Sequence, residues 1–267
     1  EGSRARNEIR IWQEFTTQLG RLSVQTQSIG GWALSHHHNY DPIDKSLYLG
    51  TGEHRSAKAG SINIISTVAG KGKFEVISGD GGPATAAGLH FAHGVALDRD
   101  GNLYIAENFN RVRRVDRKGV ITTVAGDPVR GGIEQDKGDA DRTHVETPMA
   151  VALGPDGSLY IADGSSRIRR IDWTKDRTKK DQITTVAGKR GGGDLSGDGG
   201  PAKDATLRRP SGLAFGPDGS LYIADTGNSV IRRVGLDGII NTVAGDRVSI
   251  LKGDGGPATK ASLSIPS

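Results

Sequence analysis

The chain has 267 residues, a formal net charge of +4 and a sequence pI near 9.3. It contains 40 glycines, about twice the usual share, which argues against long helices and favours many tight turns. The absence of cysteine excludes disulfides and thiolate metal sites, no apolar run is long enough to cross a bilayer, and no signal peptide is visible. The modest positive charge is compatible with anionic partners but does not require them.

The N-terminal part of the chain contains short apolar segments between polar ones. The resemblance to a known repeat family, carried by the residues quoted below, implies a β segment over residues 1–30, the end of a preceding β-sandwich, that leads into a repeat domain over residues 31–267. It also implies that Gly31-Trp32-Ala33-Leu34 is an inner strand of the first repeat. The chain begins abruptly, and we expect it to be a piece of a longer protein.

Three consecutive histidines follow that strand. His36 and His38 share one side of an extended chain, and with His54 they would offer three nitrogen ligands to zinc. No Asp/Glu-x-His pattern accompanies them, so we predict a polar strand end and no metal. His36, His38 and His54 are the residues at which a metal would be sought.

Sequence markers repeat along the rest of the chain. Leu-Tyr-Ile-Ala occurs at 103–106, 159–162 and 221–224, and Leu47-Tyr48-Leu49 precedes the first of these by 56 residues. Thr-Val-Ala-Gly occurs at 67–70, 123–126, 185–188 and 242–245. Four units of roughly 56–62 residues are therefore predicted.

Each unit is predicted to contain four short strands. In one unit these are 212–215, 220–224, 230–234 and 239–243, separated by turn sequences such as Pro217-Asp218-Gly219. Four antiparallel strands per repeat, with apolar faces that one sheet cannot bury, predict an all-β fold, a β-propeller. The predicted blades cover residues 31–70, 89–126, 145–188 and 207–245, and a fifth begins at 263–267.

A glycine-rich sequence occurs three times between the predicted blades. Such a loop would bind phosphate only if a helix followed it, and the following residues allow at most one turn. We therefore predict interblade connections, in which glycines permit tight turns and proline limits the exit direction. A degraded fourth copy is predicted at Gly138-Asp139. The three clear copies are Gly79, Asp80, Gly81, Gly82 and Pro83; Gly197, Asp198, Gly199, Gly200 and Pro201; and Gly253, Asp254, Gly255, Gly256 and Pro257.

Two groups of charged residues recur once in each unit. Glu107, Asp163 and Asp225 follow Leu-Tyr-Ile-Ala, and we predict that they cap turns, because a catalytic or calcium site would break the symmetry. The third strands carry arginines, for which a solvated strand face is expected and an RNA-binding band is the alternative. Aromatic residues, which would stack on RNA bases, make up 5% of the chain, so nucleic acid is an unlikely partner. The arginines are Arg111, Arg113, Arg114, Arg167, Arg169, Arg170, Arg232 and Arg233.

The series at 94–115, Gly-Val-Ala-Leu-Asp-x-x-Gly-Asn-Leu-Tyr-Ile-Ala-Glu-Asn-x-Asn-Arg-Val-Arg-Arg-Val, resembles the NHL repeat. The resemblance covers residues 66–267 and implies a six-bladed ring, of which about four blades lie here as an open arc or fragment. Ile9-Arg-Ile-Trp12, the segment 30–38, Tyr40-Asp-Pro42 and the segment 47–55 are similar to the start of the teneurin propeller. Bacterial YD-repeat (Rhs-type) proteins share that architecture, and the lack of cysteine favours a bacterial relative.

The resemblance implies a non-catalytic scaffold or recognition propeller of a secreted or cell-surface protein. Its partner would be another protein or the rest of the same polypeptide, such as a YD-repeat shell that it braces or plugs, and no cofactor is expected. The repeat is broken by unequal loops at 127–147 and 173–183, where specificity is sought first. Two alternatives remain, a metal-dependent propeller hydrolase or lactonase and an RNA-binding NHL domain.

Overall fold

The computed structural model describes residues 66–72, 78–127, 136–174, 180–248 and 252–267, together with the backbone of three two-residue strands nearer the N-terminus. Contacts divide the chain into a unit over Arg10–Val68 and a larger unit that contains Ala69–Ser267. The described residues form antiparallel sheets with short 3₁₀ turns, so the predicted all-β class is confirmed.

The smaller unit contains two short strand pairs. Strand β1 (Arg10–Ile11) pairs with β4 (Ser66–Thr67), and β2 (Tyr40–Asp41) pairs with β3 (Ser46–Leu47), both antiparallel. The predicted strand at 31–34 and the three candidate metal ligands, His36, His38 and His54, lie outside the described residues.

The larger unit contains three antiparallel sheets, one from each of three successive repeats, which we call blades 1, 2 and 3. Blade 1 is β5 (Ala92–Leu97), β6 (Leu103–Glu107), β7 (Arg111–Val115) and β8 (Ile121–Ala125). Blade 2 is β10 (Ala150–Leu153), β11 (Leu159–Asp163), β12 (Arg167–Asp172) and β13 (Gln182–Ala187), with β9 (Lys137–Asp139) added beside β13. Blade 3 is β15 (Gly212–Phe215), β16 (Leu221–Asp225), β17 (Val230–Val234) and β18 (Ile239–Ala244), with β14 (Gly200–Pro201) added beside β18.

The strands begin and end where local chemistry requires. In the turn between β10 and β11, the Asp156 carboxylate accepts the Ser158 N–H at 3.0 Å, and Gly157 supplies a φ of 84°. Blade 3 repeats this turn, with the Asp218 carboxylate accepting the Ser220 N–H. In blade 1 the carboxylate comes from Asp98, which accepts the N–H of Asn102 four residues later at 2.8 Å. The four strands predicted for blade 3 are confirmed to within one residue at each end.

Apolar side chains between consecutive blades form two cores. Between blades 1 and 2, Tyr104 packs with Leu159, Ile161 and Ile171, and its ring centroid lies 5.7 Å from that of Trp173. Between blades 2 and 3, the ring of Tyr160 meets that of Phe215 edge-on at 4.8 Å. Each blade therefore buries its apolar side against the next, as expected of a propeller.

Each connector that precedes one of the three blades lies along the outermost strand of that blade. The Gly81 N–H donates to the Ile121 carbonyl at 2.8 Å, and the Gly199 N–H donates to that of Ile240 at 2.9 Å. Gly79 has a φ of 92°, and a Cβ there would lie 2.7 Å from the Cα of Ala87. A three-residue 3₁₀ turn follows each glycine-rich connector, at Ala84–Ala86, Ala202–Asp204 and Ala258–Lys260.

The predicted register of the degraded copy is wrong. Gly138 lies opposite Ile183, the place that Gly200 takes opposite Ile240, so the equivalent of Asp80 and Asp198 is Asp136 rather than Asp139. These aspartates are spaced like the Leu-Tyr-Ile-Ala markers, which confirms the repeat period. The prediction failed because it matched the Gly-Asp pair, which in this connector comes three residues later than in the others.

Candidate recognition surface

A buried ionic network recurs at the outer side of each blade. In blade 1, Arg113 Nη2 lies 2.6 Å from the Asp80 carboxylate of the connector, and Arg113 Nη1 lies 3.7 Å from Glu107. A second arginine, Arg111, donates to Glu107 at 2.7 Å. Both arginines and Glu107 are buried, whereas Asp80 is about half exposed. The network ties the connector to the second and third strands of its blade.

Blades 2 and 3 carry variants of the same network. In blade 2, Arg167 reaches the connector residue Asp136 at 3.1 Å, and Arg169 lies 3.4 Å from Asp163. In blade 3, Arg232 alone serves both carboxylates, at 2.7 Å from Asp198 and 3.6 Å from Asp225. Blade 3 has Val230 at the position of Arg111 and Arg167, so a single arginine contacts both the connector carboxylate and the buried acid of this blade.

The expected solvated face is wrong for five of the eight arginines, because their side chains are buried. The cost of burying each guanidinium is offset because it forms ion pairs with carboxylates from one or two chain segments. The remaining three are partly exposed on the other side of the strand. The arginine band that motivated the RNA alternative is therefore absent from the three blades. The buried arginines are Arg111, Arg113, Arg167, Arg169 and Arg232, and the partly exposed ones are Arg114, Arg170 and Arg233.

The recurring acids Glu107, Asp163 and Asp225 are fully buried. Asp163 does accept the nearby Ser165 N–H at 2.9 Å, a local contact of the predicted capping kind. Each acid also accepts a backbone N–H from the segment that leads into the first strand of its blade, as at Asp225, where the Arg208 N–H lies 2.7 Å away.

The arginine partners were missed by the sequence analysis. A signal was available, because the register places Glu107 directly opposite Arg111 and Asp163 directly opposite Arg167 on neighbouring strands. Burial raises the pKa of the Glu107 and Asp225 carboxyls, and burial also lowers the pKa of the Arg111 guanidinium. No group of three metal-ligating side chains occurs among the described residues. The carboxylate oxygens of these acids therefore accept contacts from arginines and backbone N–H groups that stabilise the fold. A calcium ion would have to compete for the same oxygens.

The two ends of the blades differ. We call upper surface the end formed by the segments leading into the first strands, the turns between second and third strands, and the residues after the fourth strands. The lower surface is the end formed by the Asp-Gly turns. In described residues, the upper surface comprises 90–91, 108–110, 126–127, 146–147, 164–166, 188–192, 208–209, 226–229, 245–248 and 264–265.

Exposed apolar side chains concentrate on the upper surface. Phe91 and Phe109 are 43% and 45% exposed, and both rings contact that of His90, at 4.9 and 4.2 Å between centroids. Val248 and Ile265 are exposed on the same surface. Among described residues, Leu236 is the one large hydrophobic side chain exposed at the lower surface. Exposed apolar groups gathered at one end indicate a contact surface.

A polar cleft of about 520 Å³ opens on the upper surface of blade 2. The turn 164–166 is Gly-Ser-Ser where blade 1 has Asn-Phe-Asn, so small side chains leave the space that Phe109 takes in blade 1. The Thr147 N–H donates to the Asn110 side chain at 3.0 Å and joins the cleft to the aromatic group of blade 1. The cleft is lined by Glu146, Gly164, Ser165, Ser166, Arg190 and Gly191.

The two unequal loops are only partly among the described residues. From the loop 127–147, residues 136–147 form the connector into blade 2, including β9. From the loop 173–183, the indole of Trp173 donates to the Gly157 carbonyl at 2.9 Å, which places it at the lower surface. Residues 128–135 and 175–179 lie outside the described part of the chain.

Comparison with known proteins identifies the family. The family profile described as the Teneurin NHL domain matches residues 74–131 and 166–265, more than half of the chain. The chain belongs to this family. The match covers blade 1, strands β12 and β13 of blade 2, all of blade 3 and the connector that follows blade 3.

Teneurins of several animals are similar to the chain. Mouse Teneurin-3 is 29% identical over 247 residues, and Teneurin-m of Drosophila melanogaster is 32% identical over 249 residues; each alignment covers 89% of this chain. The chain spans only 9% and 8% of these two relatives. Since these relatives are animal proteins, the comparison gives no support to the expected bacterial origin.

A solved structure shows the same fold. An auxiliary nutrient binding protein from Bacteroides thetaiotaomicron is 18% identical and matches 76% of this chain and 44% of its own, with a TM-score of 0.51. A virginiamycin B lyase from Staphylococcus aureus matches with a TM-score of 0.37, a likeness too low to argue for lyase chemistry. Among the described residues, no helix has the length and apolar character needed to cross a membrane.

Proposed function

We propose that this segment is a non-catalytic recognition propeller of a large cell-surface or secreted teneurin-like protein. It contacts another protein, or another part of the same polypeptide such as a YD-repeat shell, through the upper surface of its blades. The teneurin relatives are many times longer than this chain, which is in keeping with a module inside a larger protein.

The observation that carries the proposal is the contrast between the two ends of the blades. At the lower surface, two of the three partly exposed strand arginines pair with turn carboxylates, Arg170 with Asp156 and Arg233 with Asp218, both at 2.9 Å or less. At the upper surface, Phe91 and Phe109 stay 43% and 45% exposed although both rings contact His90. A blade end that exposes neighbouring aromatic rings favours a partner over solvent.

The three recurring acids of the described blades are not available to a hydrolase. A calcium-dependent hydrolase needs carboxylates free to bind the ion, whereas Glu107, Asp163 and Asp225 are engaged by arginines and backbone N–H groups. Metal analysis of the untagged protein by mass spectrometry distinguishes the hydrolase from the recognition propeller. One calcium ion per chain would support the hydrolase.

A cell-binding assay tests the proposal. The whole chain is biotinylated, tetramerised on fluorescent streptavidin and incubated with animal cells before and after the cells are treated with trypsin. We expect binding that trypsin abolishes and that the double variant Phe91→Ser/Phe109→Ser reduces several-fold. The control variant Leu236→Ser, which removes an exposed apolar side chain from the lower surface, leaves binding unchanged. Binding that survives trypsin, or that both variants weaken equally, contradicts the proposal.

A further inference from the structure

We propose that the basic part of the upper surface, over blades 2 and 3, docks an acidic protein segment that also carries apolar side chains. This inference rests on the proposed function and specifies the chemistry of the partner. The basic part consists of Lys189, Arg190, Arg208, Arg209 and Arg247, all of them exposed.

These cations come from three segments that lie against one another. The loop after blade 2 runs beside the lead into blade 3, since a Cβ at Gly192 would lie 2.8 Å from the Leu207 carbonyl oxygen. The Arg208 carbonyl in turn accepts the Gly227 N–H of the next turn at 2.8 Å. Arg247 follows blade 3 at the position that Arg190 takes after blade 2, two residues beyond the Gly of Thr-Val-Ala-Gly. A Cβ at Gly245 would lie 2.5 Å from the Ser229 carbonyl oxygen, so the segment that carries Arg247 adjoins the turn that Arg208 contacts. The five cations therefore lie on adjoining segments of one surface.

Most of this positive charge is not neutralised within the described residues. No side-chain ion pair is formed there by Lys189, Arg208, Arg209 or Arg247. By contrast, all but one of the eight arginines in the third strands are ion-paired. Arg209 has a φ of 49°, like Phe91 at 42° at the equivalent position of blade 1, and both side chains are exposed. The position that presents an aromatic ring in blade 1 therefore presents a guanidinium in blade 3.

The surroundings favour a protein segment over a polyanion of uniform charge. Glu146 lines the same cleft as Arg190, so the surface carries both signs of charge and is not a uniform positive track for a sulfated glycan or a nucleic acid. Val248 adjoins Arg247 and is 39% exposed, and Phe109 exposes its ring beyond the cleft. Guanidinium groups bind carboxylates in bidentate pairs, so alternating acidic and apolar side chains match this surface.

Two peptides and two variants test the inference. The probe is a short fluorescein-labelled peptide of alternating glutamate and leucine pairs, and its control replaces every glutamate by glutamine. The charge-reversed variant is Arg208→Glu/Arg209→Glu/Arg247→Glu. The matched control, Arg99→Glu/Arg117→Glu/Lys118→Glu, makes the same charge change with exposed residues at the lower surface. Both variants are first checked by circular dichroism for the native spectrum and melting temperature.

We expect the glutamate peptide to bind the whole chain, measured by fluorescence anisotropy, and to bind the upper variant about tenfold more weakly. The lower variant should bind as the parent does, and the glutamine peptide should bind neither variant better than the parent. Equal losses in both triple variants, or binding of a heparin oligosaccharide without binding of the glutamate peptide, would overturn the inference. If that happens while trypsin-sensitive cell binding persists, the proposed function stands and only the partner chemistry is wrong.

Discussion

Arg113 and Asp80 are 33 residues apart in the chain and form a 2.6 Å ion pair in which the arginine is fully buried and the aspartate about half exposed. The same carboxylate accepts the Thr123 hydroxyl of the outermost strand. One connector side chain therefore contacts both the third and the fourth strand of the blade that follows it. The glycine-rich stretch therefore supplies an anion to the buried arginine of the blade that follows it.

Replacing that anion should destabilise the chain. Asp80→Asn leaves the buried Arg113 with Glu107 as its remaining charged partner, and we expect a loss of about 2 kcal/mol of unfolding free energy in urea titrations. Asp254→Asn is the matched control, because Asp254 occupies the same place in the third connector and forms no ion pair within the described residues. If Asp254→Asn costs as much as Asp80→Asn, the pairing with arginine is not what stabilises the connector.

The first glycine of the connector should tolerate no side chain. Gly79→Ala puts a Cβ within 2.8 Å of both Cα and Cβ of Ala87 at a φ of 92°, so we expect a loss of about 3 kcal/mol from strain and overpacking. At Gly81 the φ is also positive, at 79°, but an added Cβ would have no neighbour within 4 Å. We therefore expect Gly81→Ala to lower the unfolding free energy by about 1 kcal/mol. Thermal unfolding compares the two variants. Equal melting temperatures would show that contact with Ala87 does not decide the cost of a side chain at Gly79.

Interblade packing should depend on the apolar side chain that precedes each blade, which is a leucine except at Val145 before blade 2. Leu207 is fully buried between blades 2 and 3, and Leu207→Ala should cost about 3 kcal/mol. Leu263 takes the same place after blade 3 but is half-buried, so Leu263→Ala should cost about 1 kcal/mol or less. A larger effect of Leu263→Ala in urea titrations would contradict this ranking.

One lower-surface pair should make stability depend on pH. The hydrogen bond from Arg233 is the leading cause that lowers the pKa of Asp218 to about 2, from an ordinary 3.8. A depressed carboxyl pKa stabilises the fold above pH 3.8, and this contribution is lost as the pH falls through about 2. Asp218→Asn should therefore lower the urea midpoint at pH 7 and have little effect near pH 2.

Asp237→Asn is the control for that experiment. Asp237 also accepts a backbone N–H in a lower-surface turn, from Ile239 at 3.0 Å, but it forms no ion pair with a described residue. An Asp218→Asn effect that stays constant between pH 7 and pH 2 would show that the carboxylate charge does not matter.

The candidate surface was partly accessible from sequence. The repeat markers located the turns and loops, and hence the ends of the blades. The exposed ring of Phe91 and the cleft beside Ser165 were not predictable, because exposure depends on which neighbouring blade covers a loop. The equivalence of Asp136 with Asp80 was also missed, because pairing with the outermost strand, rather than the Gly-Asp letters, decides the register.

The sequence by itself determined the strands, the turns and the tandem arrangement of blades, because turn chemistry and alternating apolar residues act over a few positions. Only the tertiary structure decided which charges are internal. Arg113 and Arg114 are adjacent in one strand, yet the first is buried and the second partly exposed. Successive side chains point to opposite sides, and the connector carboxylate that makes burial tolerable comes from more than thirty residues away.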